Sequence, residues 1–347
     1  MHVGIVGAGA VGGYLAAELS AGGAEITLVT RKGRAAATDK PVAIRADGTA
    51  LHARGSLVIT DDSTSLSGVD IALVTVKSPA TEEVAATLAQ VLPANTPVVS
   101  FQNGLRNVEI LREKLGPRVA GGVVTYNVYN GERGERRQAS TGKLMAGHLA
   151  GELERRMQAL KEVFSASGET LELHGEFNSV LLGKLLLNLN NGICAATGLG
   201  IAASLRDYDA RFCFSECILE GLDCMRRAGM KPARVTVLPP ELLAPALKLP
   251  NAVVTRMARS LVGIDSAARS STLQDIDRGR PTEIDDLNGA IVAIARRAGG
   301  EAPRNELVTR IVHEIERVAM SGGRPAFVPP RELRSQMERV SRGKHAI

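Results

Sequence analysis

The chain has 347 residues, 44% of them hydrophobic, and 42 Lys and Arg against 37 Asp and Glu give a net charge of +5. This length predicts two domains that can each bury a core. The small, dispersed charge and an aromatic content of 3%, without tryptophan, argue against a nucleic-acid partner. No apolar run is judged long enough to span a bilayer, and because residue 1 already begins a strand, no signal peptide is expected. We therefore expect a cytoplasmic protein.

A glycine-rich motif lies between a short apolar strand over Met1–Val6 and an apolar-faced helix over Tyr14–Ser20. The motif consists of Gly7, Ala8, Gly9, Ala10, Val11 and Gly12. Its G-x-G-x-x-G spacing allows a helix N-terminus to bind the pyrophosphate of a dinucleotide. Gly7 permits the tight turn, Gly9 lets the pyrophosphate approach the backbone, and Gly12 lets the helix pack on the strand. The pattern favours dinucleotide binding over a plain structural turn.

The end of a second strand, over Glu25–Thr30, bears on the choice of dinucleotide. An NAD site usually places an acidic residue there to bind the ribose 2′-hydroxyl. This chain has Arg31, Lys32 and Arg34 instead, and three cations suit a 2′-phosphate. The sequence therefore favours NADP (NADPH), and the alternative is a solvated basic loop.

Polar residues follow two further buried strands, over Asp70–Val76 and Pro97–Phe101. Lys77 follows the first strand, and Asn103 follows the second. Ligands of an open parallel sheet lie outside the carboxyl ends of its strands, so both side chains are expected to face the nicotinamide side of a cleft. The alternative for each is a turn residue, since Asn before Gly is a common turn pair.

The rest of the first half alternates between strand and helix patterns. Strands are predicted over Val42–Arg45 and Leu57–Thr60, around the turn Asp47-Gly48, and over Gly121–Asn130, Thr141–His148 and Leu171–Leu173. Helices are predicted over Thr81–Leu92, Asn107–Leu115 and Glu152–Ser167. From about Glu176 the strand patterns give way to long helical patterns. We therefore predict an α/β Rossmann domain that binds NADP over 1–174, followed by an all-α C-terminal domain for substrate binding and dimerisation over 175–347. Its helices could pair in a homodimer, although no diagnostic stripe is visible.

Three cysteines, Cys213, Cys217 and Cys224, fall on roughly one face of a helix. A metal cluster is one interpretation. Small buried thiols in a helical core are the favoured one, because there is no C-x-x-C spacing and no nearby histidine. No metal site is expected.

The first helix of the second domain, over Ser179–Asn191, is apolar nearly all round and should be buried. Lys184 and Asn188 lie four residues apart and share a face of it. A buried lysine is costly unless it meets a ligand or a partner, and burial lowers its pKa toward the range that suits a proton donor. The alternative is a lysine that extends its amine to solvent at the edge of the helix.

A dense polar stretch, 270–285, precedes the next clear apolar helix. Thr282 could cap a helix over Glu283–Ala298, with Glu283 and Asp285 in its first turn, which is a purely structural explanation for the acids. The number of polar groups exceeds what a cap requires, so a functional site is the second explanation.

These motifs together resemble the ketopantoate reductase (2-dehydropantoate 2-reductase) family, whose members reduce ketopantoate to pantoate with NADPH on the way to pantothenate. The resemblance runs from Met1 to about Met320. It rests on the glycine-rich motif combined with Lys77, Gln102-Asn103-Gly104, Lys184-x-x-x-Asn188, Ser271-x-x-x-Asp275 and Arg280-Pro281-Thr282-Glu283-Ile284-Asp285.

The resemblance implies a role for each of these residues. Lys184 would be the general acid, and Glu283 would be the second catalytic group, bonded to the substrate hydroxyl. The implied substrate-binding residues are Asn188, Ser271 and Asn103. The implied cofactor-binding residues are Gly7, Ala8, Gly9, Ala10, Val11, Gly12, Arg31, Lys77, Asn103 and Glu283.

One departure from the family pattern concerns the helix that carries Lys184. The family often has a further Asn four residues after the first, followed by Pro, whereas this chain has Gly192-Ile193 and places its asparagines at Asn190 and Asn191. The substrate pocket is expected to differ accordingly. Alternatives to ketopantoate reduction are a reductase of the same fold for another 2-oxo acid and an NADP-binding redox sensor without turnover. A sensor would not need a proton donor such as Lys184.

Overall fold

The computed structural model of the chain describes residues 1–251, 253 and 269–342. The chain divides into two compact units, Met1–Phe177 and Asn178–Ile347. The first unit combines a mostly parallel sheet with helices, and the described part of the second contains helices without strands. The predicted fold class, an α/β Rossmann unit followed by a helical unit, is confirmed.

The strands of the first unit form two sheets. Their bounds are β1 His2–Val6, β2 Glu25–Val29, β3 Val42–Ile44, β4 Leu57–Thr60, β5 Ile71–Val74, β6 Val98–Ser100, β7 Val119–Val124, β8 Val128–Asn130, β9 Glu135–Gln138, β10 Leu144–Gly147 and β11 Leu171–His174. The large sheet has the order β11-β10-β7-β6-β5-β1-β2-β4, and only the β7–β10 pair is antiparallel. Its central strands are apolar on both faces because helices cover the sheet. The small sheet has the order β3-β9-β8.

Four helices belong to the first unit: α1 Ala10–Ala21, α2 Thr81–Val91, α3 Arg106–Leu115 and α4 Glu152–Ser167. The small sheet packs against α1, and Tyr14 of α1 donates a hydrogen bond of 3.1 Å to Gln138 of β9. Glu18 of α1 is fully buried and is paired with Arg45. The first helix after the glycine-rich loop is therefore fixed on both sides, by the large sheet and by the small one.

The helices described in the second unit begin with a long apolar one. Their bounds are α5 Phe177–Thr197, α6 Ile201–Arg206, α7 Tyr208–Arg227, α8 Pro240–Leu247, α9 Ser271–Asp277, α10 Asn288–Arg297, α11 Pro303–Met320 and α12 Pro330–Arg342. The expectation that no apolar run is long enough to span a bilayer is wrong for α5, which qualifies by length and composition. Within the protein, 78% of its apolar window is buried, as in the core helix of a globular unit.

The structure corrects three element predictions. The run Gly121–Asn130 is two strands, β7 and β8, that belong to different sheets, and β9 was not predicted. The strands β3 and β4 also lie in different sheets rather than around one turn. The helix expected over Glu283–Ala298 begins only at Asn288, after a short 3-10 turn over Ile284–Asp286.

The four cysteines are buried free thiols, one on α5 and three on α7. Cys213 and Cys217 are completely buried. Burial raises the pKa of the Cys217 thiol well above its usual value. These side chains act as small apolar core residues.

Candidate active site

Each glycine of the loop between β1 and α1 is required, or tolerated, for a different steric reason. Gly7 has a φ of +113°, which side chains rarely adopt. A Cβ on Gly12 would overlap the carbonyl oxygen of Gly7 and the hydroxyl of Thr75, so this glycine allows the close approach of helix and strand. A Cβ on Gly9 would have no atom within 4 Å. The loop is therefore tight at Gly7 and Gly12 and open at Gly9, as the binding of a pyrophosphate requires.

Thr75, which sequence analysis missed, holds this loop in place. Its hydroxyl lies 2.8 Å from the carbonyl oxygen of Gly7 and 3.0 Å from that of Val6, so its single O–H is shared between these two acceptors. The N–H of Gly7 donates to the carbonyl oxygen of Val29 at 2.9 Å. The loop is thus fixed to the ends of both neighbouring strands, β5 and β2.

The basic loop after β2 presents its cations to solvent. Arg31, Lys32 and Arg34 are all exposed. Gly33 has a φ of +74°, and its N–H donates a hydrogen bond of 2.6 Å to the carboxylate of Asp61. Asp61 follows β4, the strand beside β2, so the nearby acid is engaged by the loop backbone. The side chains of the loop remain available to an anion.

The ends of β5 and β6 are joined by a network that sequence analysis also missed. The amide of Gln102 donates to the carbonyl oxygen of Val76 at 2.9 Å and to the hydroxyl of Thr81 at 2.7 Å. Asn107 in turn accepts a hydrogen bond of 2.8 Å from Thr81. Both amides are buried, so the network is a fixed part of the unit.

This network places the predicted residues Lys77 and Asn103 at one edge of the sheet. The amide of Asn107 donates to the carbonyl oxygen of Asn103 at 2.7 Å and to the hydroxyl of Ser78 at 2.8 Å. Lys77 is exposed and Asn103 is half-buried. Both follow parallel strands, so they lie on the side of the sheet where a ligand is expected.

In the second unit, Lys184 has the properties expected of a proton donor. It is half-buried on the apolar helix α5, with Asn188 one turn farther along the same face. Burial lowers the pKa of Lys184 to about 8, and the charge of Glu283 opposes this shift. The structure thus brings together the two residues predicted to be catalytic.

Glu283 is 9% exposed and begins the 3-10 turn before α10. The preceding residue, Thr282, fixes this turn because its N–H and its hydroxyl donate to the carboxylate of Glu316 on α11, at 2.8 and 2.5 Å. The interpretation of Thr282 as the cap of a helix over Glu283–Ala298 is therefore wrong, since that helix begins at Asn288. Glu283 lies in a short segment that tertiary contacts hold, which suits a side chain with a positional role.

Ser271 is exposed at the first position of α9. The preceding Ser270 is buried and caps the helix by accepting a hydrogen bond of 3.3 Å from the N–H of Leu273. Ser270 lies close enough to Cys194 on α5 to lower the pKa of its thiol, against the larger effect of burial. The start of α9 therefore lies beside the helix that carries Lys184 and Asn188.

The departure from the family pattern at Gly192 is accommodated by packing. A Cβ on Gly192 would overlap the side-chain oxygen of Asn288 and stand 2.9 Å from Val308. The amide nitrogen of Asn288 donates to Asn305 at 3.0 Å, and that of Asn305 donates to the carboxylate of Glu220 at 2.9 Å. Since a carboxylate only accepts, both amides have a fixed orientation. No space is left open where the glycine lacks a side chain.

Comparisons with known proteins give consistent results. A family model described as ketopantoate reductase PanE/ApbA matches residues 3–151, and the model of the C-terminal part of the same family matches residues 176–316. The 2-dehydropantoate 2-reductase of Pyrococcus horikoshii is 28% identical over 93% of this chain and 99% of its own length. That of Archaeoglobus fulgidus is 27% identical over 91% of this chain and 98% of its own length.

Solved structures extend the comparison. A PanE/ApbA family ketopantoate reductase from Ralstonia eutropha JMP134 is 28% identical and has a TM-score of 0.74 over 92% of this chain and 99% of its own. D-mandelate dehydrogenase, solved with NADH and anilino(oxo)acetate, also has a TM-score of 0.74, over 92% of this chain and 99% of its own, at 18% identity. The second likeness is one of fold alone.

Proposed function

The chain belongs to the ketopantoate reductase PanE/ApbA family, and we propose that it reduces 2-dehydropantoate (ketopantoate) to pantoate with NADPH, in pantothenate biosynthesis. The observation that carries this proposal is the half-buried Lys184, with a pKa of about 8, beside the charge of Glu283. An oxidoreductase needs a proton donor at this point, whereas a protein that only senses NADP does not.

Reducing a ketone adds a hydride to its carbon and a proton to its oxygen. When bound, NADPH supplies the hydride. Lys184 donates the proton from its ammonium group, which is mostly charged at neutral pH yet close enough to its pKa to release the proton readily. The charge of Glu283 favours the protonated amine and keeps the donor loaded.

The fit of the first unit to the cofactor rests on three features. The loop is open at Gly9, where the backbone must meet a pyrophosphate. The N-terminus of α1 favours an anion. Arg31 and its neighbours offer exposed cations for a 2′-phosphate. Gly7, Ala8, Ala10, Val11 and Gly12 would complete the cradle, and Lys77 and Asn103 would bind at the nicotinamide end.

The substrate would be bound by the polar groups that the family resemblance implies. Asn188 and Ser271 would hold the substrate, Ser271 near its carboxylate, Asn103 would contact it, and Glu283 would accept a hydrogen bond from its hydroxyl. This set suits an acid that carries both a ketone and a hydroxyl. It also gives the site a means to reject analogues, because an unpaired polar group in a binding site discriminates strongly.

The second candidate is the reduction of another 2-oxo acid. It is favoured by the fold shared with D-mandelate dehydrogenase, a protein solved with an anilino-substituted 2-oxo acid. The test is to follow the loss of NADPH absorbance with ketopantoate, 3-methyl-2-oxobutanoate and phenylglyoxylate. Ketopantoate should have the highest kcat/KM. A higher kcat/KM for either of the others would make that compound the substrate. If no 2-oxo acid is turned over, the remaining function is that of an NADP-binding sensor.

A variant of Glu283 separates recognition of the substrate hydroxyl from a role in hydride and proton transfer. Glu283→Ala should reduce kcat/KM for ketopantoate more than for 3-methyl-2-oxobutanoate, which lacks the hydroxyl. Equal losses for both would place Glu283 at the reacting centre rather than at the hydroxyl. A homodimer built through the helical unit stays a prediction, and light scattering after size-exclusion chromatography would test it.

A further inference from the structure

Arg136, on strand β9 of the small sheet, covers the first turn of α1. It is 9% exposed, and its arm lies so close to Gly13 that a Cβ there would stand 2.5 Å from Nε of the arginine. Gly13 closes this first turn, since its N–H donates to the carbonyl oxygen of Gly9 at 2.9 Å. A buried guanidinium therefore lies against the turn that follows the glycine-rich loop.

This cation lacks a hydrogen-bond partner at its buried Nε. A guanidinium carries five N–H donors. Nη1 of Arg136 donates to the carbonyl oxygen of Glu135 at 3.0 Å, and the buried Nε has no hydrogen-bond partner within the described part of the chain. Burial lowers the pKa of Arg136, and Asp39, the acid whose charge opposes this shift, is exposed. A buried charge in this condition destabilises the fold unless a ligand completes it.

The position relative to α1 adds to the cost. The N-terminal turn of a helix carries a partial positive charge, which favours an anion and disfavours a cation. Arg136 nevertheless lies beside this turn. An anion at the turn would reverse the sign of the interaction, because the guanidinium and the free N–H groups of the helix would then bind the same charge.

We propose that Arg136 binds a phosphate group of the dinucleotide beside the first turn of α1. The inference rests on the proposed function, which places a dinucleotide at the glycine-rich loop. Arginine suits this role because its planar fork binds two phosphate oxygens at once. Gly13 would serve the same purpose, since it lets the arm of Arg136 lie close to the helix.

The test uses Arg136→Met, which keeps an unbranched arm over Gly13 and removes the charge. The dissociation constants of NADPH and NADH are measured by nicotinamide fluorescence, and Tm is measured without cofactor. We expect about 10–100-fold weaker binding, the loss of hydrogen bonds to a charged group, together with a higher Tm because an unpaired buried charge is gone. Arg136→Lys should bind more tightly than Arg136→Met, since it keeps a cation.

The matched control is Arg137→Met on the next residue of the strand. Its side chain is 41% exposed and bonds to the carboxylate of Glu135 at 2.8 Å. It should bind both dinucleotides as the wild type does. If Arg136→Met weakens the binding of NADPH alone, Arg136 binds the 2′-phosphate. If it weakens the binding of both dinucleotides, Arg136 binds the pyrophosphate.

Unchanged dissociation constants in Arg136→Met, or an equal loss in Arg137→Met, would overturn the inference and leave Arg136 a packing role. Arg136→Gln replaces the methionine variant if that one does not fold, and the same criteria apply. A wild type that binds neither dinucleotide would refute the proposed function itself. Wild-type binding that Arg136→Met retains in full would refute this inference alone.

Discussion

The hydroxyl of Thr75, at the end of β5, donates a hydrogen bond of 2.8 Å to the carbonyl oxygen of Gly7, at the end of β1. The same O–H is shared with the carbonyl oxygen of Val6, at 3.0 Å. One side chain thus fixes the carbonyl groups on which the glycine-rich turn begins. Because the N–H groups that follow must point at a pyrophosphate, the affinity for dinucleotide should depend on this threonine.

Thr75→Val keeps the shape of the side chain and removes its hydrogen bonds. A hydrogen bond of this kind stabilises by about 0.5–1.5 kcal/mol, so we expect the dissociation constants of NADPH and NADH both to rise several-fold. Fluorescence titration measures both. Thr87→Val is the control, since Thr87 bonds to the carbonyl oxygen of Glu83 on the exposed side of α2. Equal affinities in Thr75→Val and wild type would mean that the glycines alone shape the loop.

Arg31 should distinguish the two dinucleotides. It is exposed directly after β2, where a 2′-phosphate is expected. Arg31→Ala should weaken NADPH binding by about 10-fold or more, the value of a hydrogen bond between charged groups, and should leave NADH nearly unchanged. Arg54→Ala is the matched control, because Arg54 is exposed before β4, which is parallel to β2, and so lies near the amino ends of these strands rather than the carboxyl ends. Equal losses for NADPH and NADH in Arg31→Ala would show that Arg31 does not bind the 2′-phosphate.

The local sequence predicts the parts of the fold that apolar periodicity determines. The strands β1, β2 and β5 and the helix α4 lie where their patterns place them. Strand β9 was missed because its four residues, Glu-Arg-Arg-Gln, are all polar. Its place in the structure comes from β3 and β8 on either side, and from side chains such as Gln138 that face α1. Such a strand is defined by its neighbours rather than by its own pattern.

The candidate site likewise has parts that the local sequence predicts and parts that it does not. Motif spacing identified the glycine-rich loop and the pair Lys184 and Asn188, because each lies within one element. The hydrogen bonds of Thr75 and Gln102 could not be found so, since their partners are distant in sequence and become neighbours only in the sheet. The break before α10 has a similar origin. Thr282 bonds to Glu316 on another helix, and this tertiary contact overrides the helical pattern of the segment.

Gly192 should be intolerant of a side chain because Asn288 occupies the space beside it. Gly192→Ala should lower the free energy of unfolding by about 1–3 kcal/mol, the usual cost of overpacking. Gly300→Ala is the control, since its Cβ would meet its nearest atom at an ordinary 3.7 Å. Chemical denaturation measures all variants.

The double variant Gly192→Ala/Asn288→Ala tests the contact directly. Removing the amide of Asn288 restores room for the alanine, so the two substitutions together should destabilise by less than the sum of the single effects. Asn288→Ala alone costs stability because Asn305 loses a partner. If the two changes in the free energy of unfolding are strictly additive, the contact does not exist. The destabilisation in Gly192→Ala would then come from the helix backbone.

Glu283 should tune the proton donor. Its negative charge favours the protonated form of Lys184 and so raises the pKa of the amine, against the effect of burial. In Glu283→Gln the pKa of Lys184 should therefore fall below its wild-type value of about 8. The fall of kcat at high pH should begin at a lower pH than in the wild type. Asp285→Asn is the control, an exposed neighbour that bonds to His313. If kcat falls at the same pH in Glu283→Gln as in the wild type, Glu283 does not act on Lys184.

Lys184 should account for the pH dependence of the reaction. The protonated amine is the active form of a general acid, so kcat should be constant below the pKa of about 8 and should decrease as pH rises through it. A positioned acid contributes about 10²–10⁴-fold. Lys184→Ala should lower kcat by that factor, lose the alkaline limb, and leave the affinity for NADPH almost intact.

Two variants make this assignment specific. Lys184→Arg keeps a positive charge but cannot release a proton in the working range, so it should remain as slow as Lys184→Ala if proton donation matters. Recovery of activity in Lys184→Arg would instead give Lys184 an electrostatic role. Lys231→Ala, at an exposed lysine of the same unit, should behave as the wild type. A fully active Lys184→Ala would remove Lys184 from the mechanism and make Lys77, at the edge of the sheet, the next candidate for the proton donor.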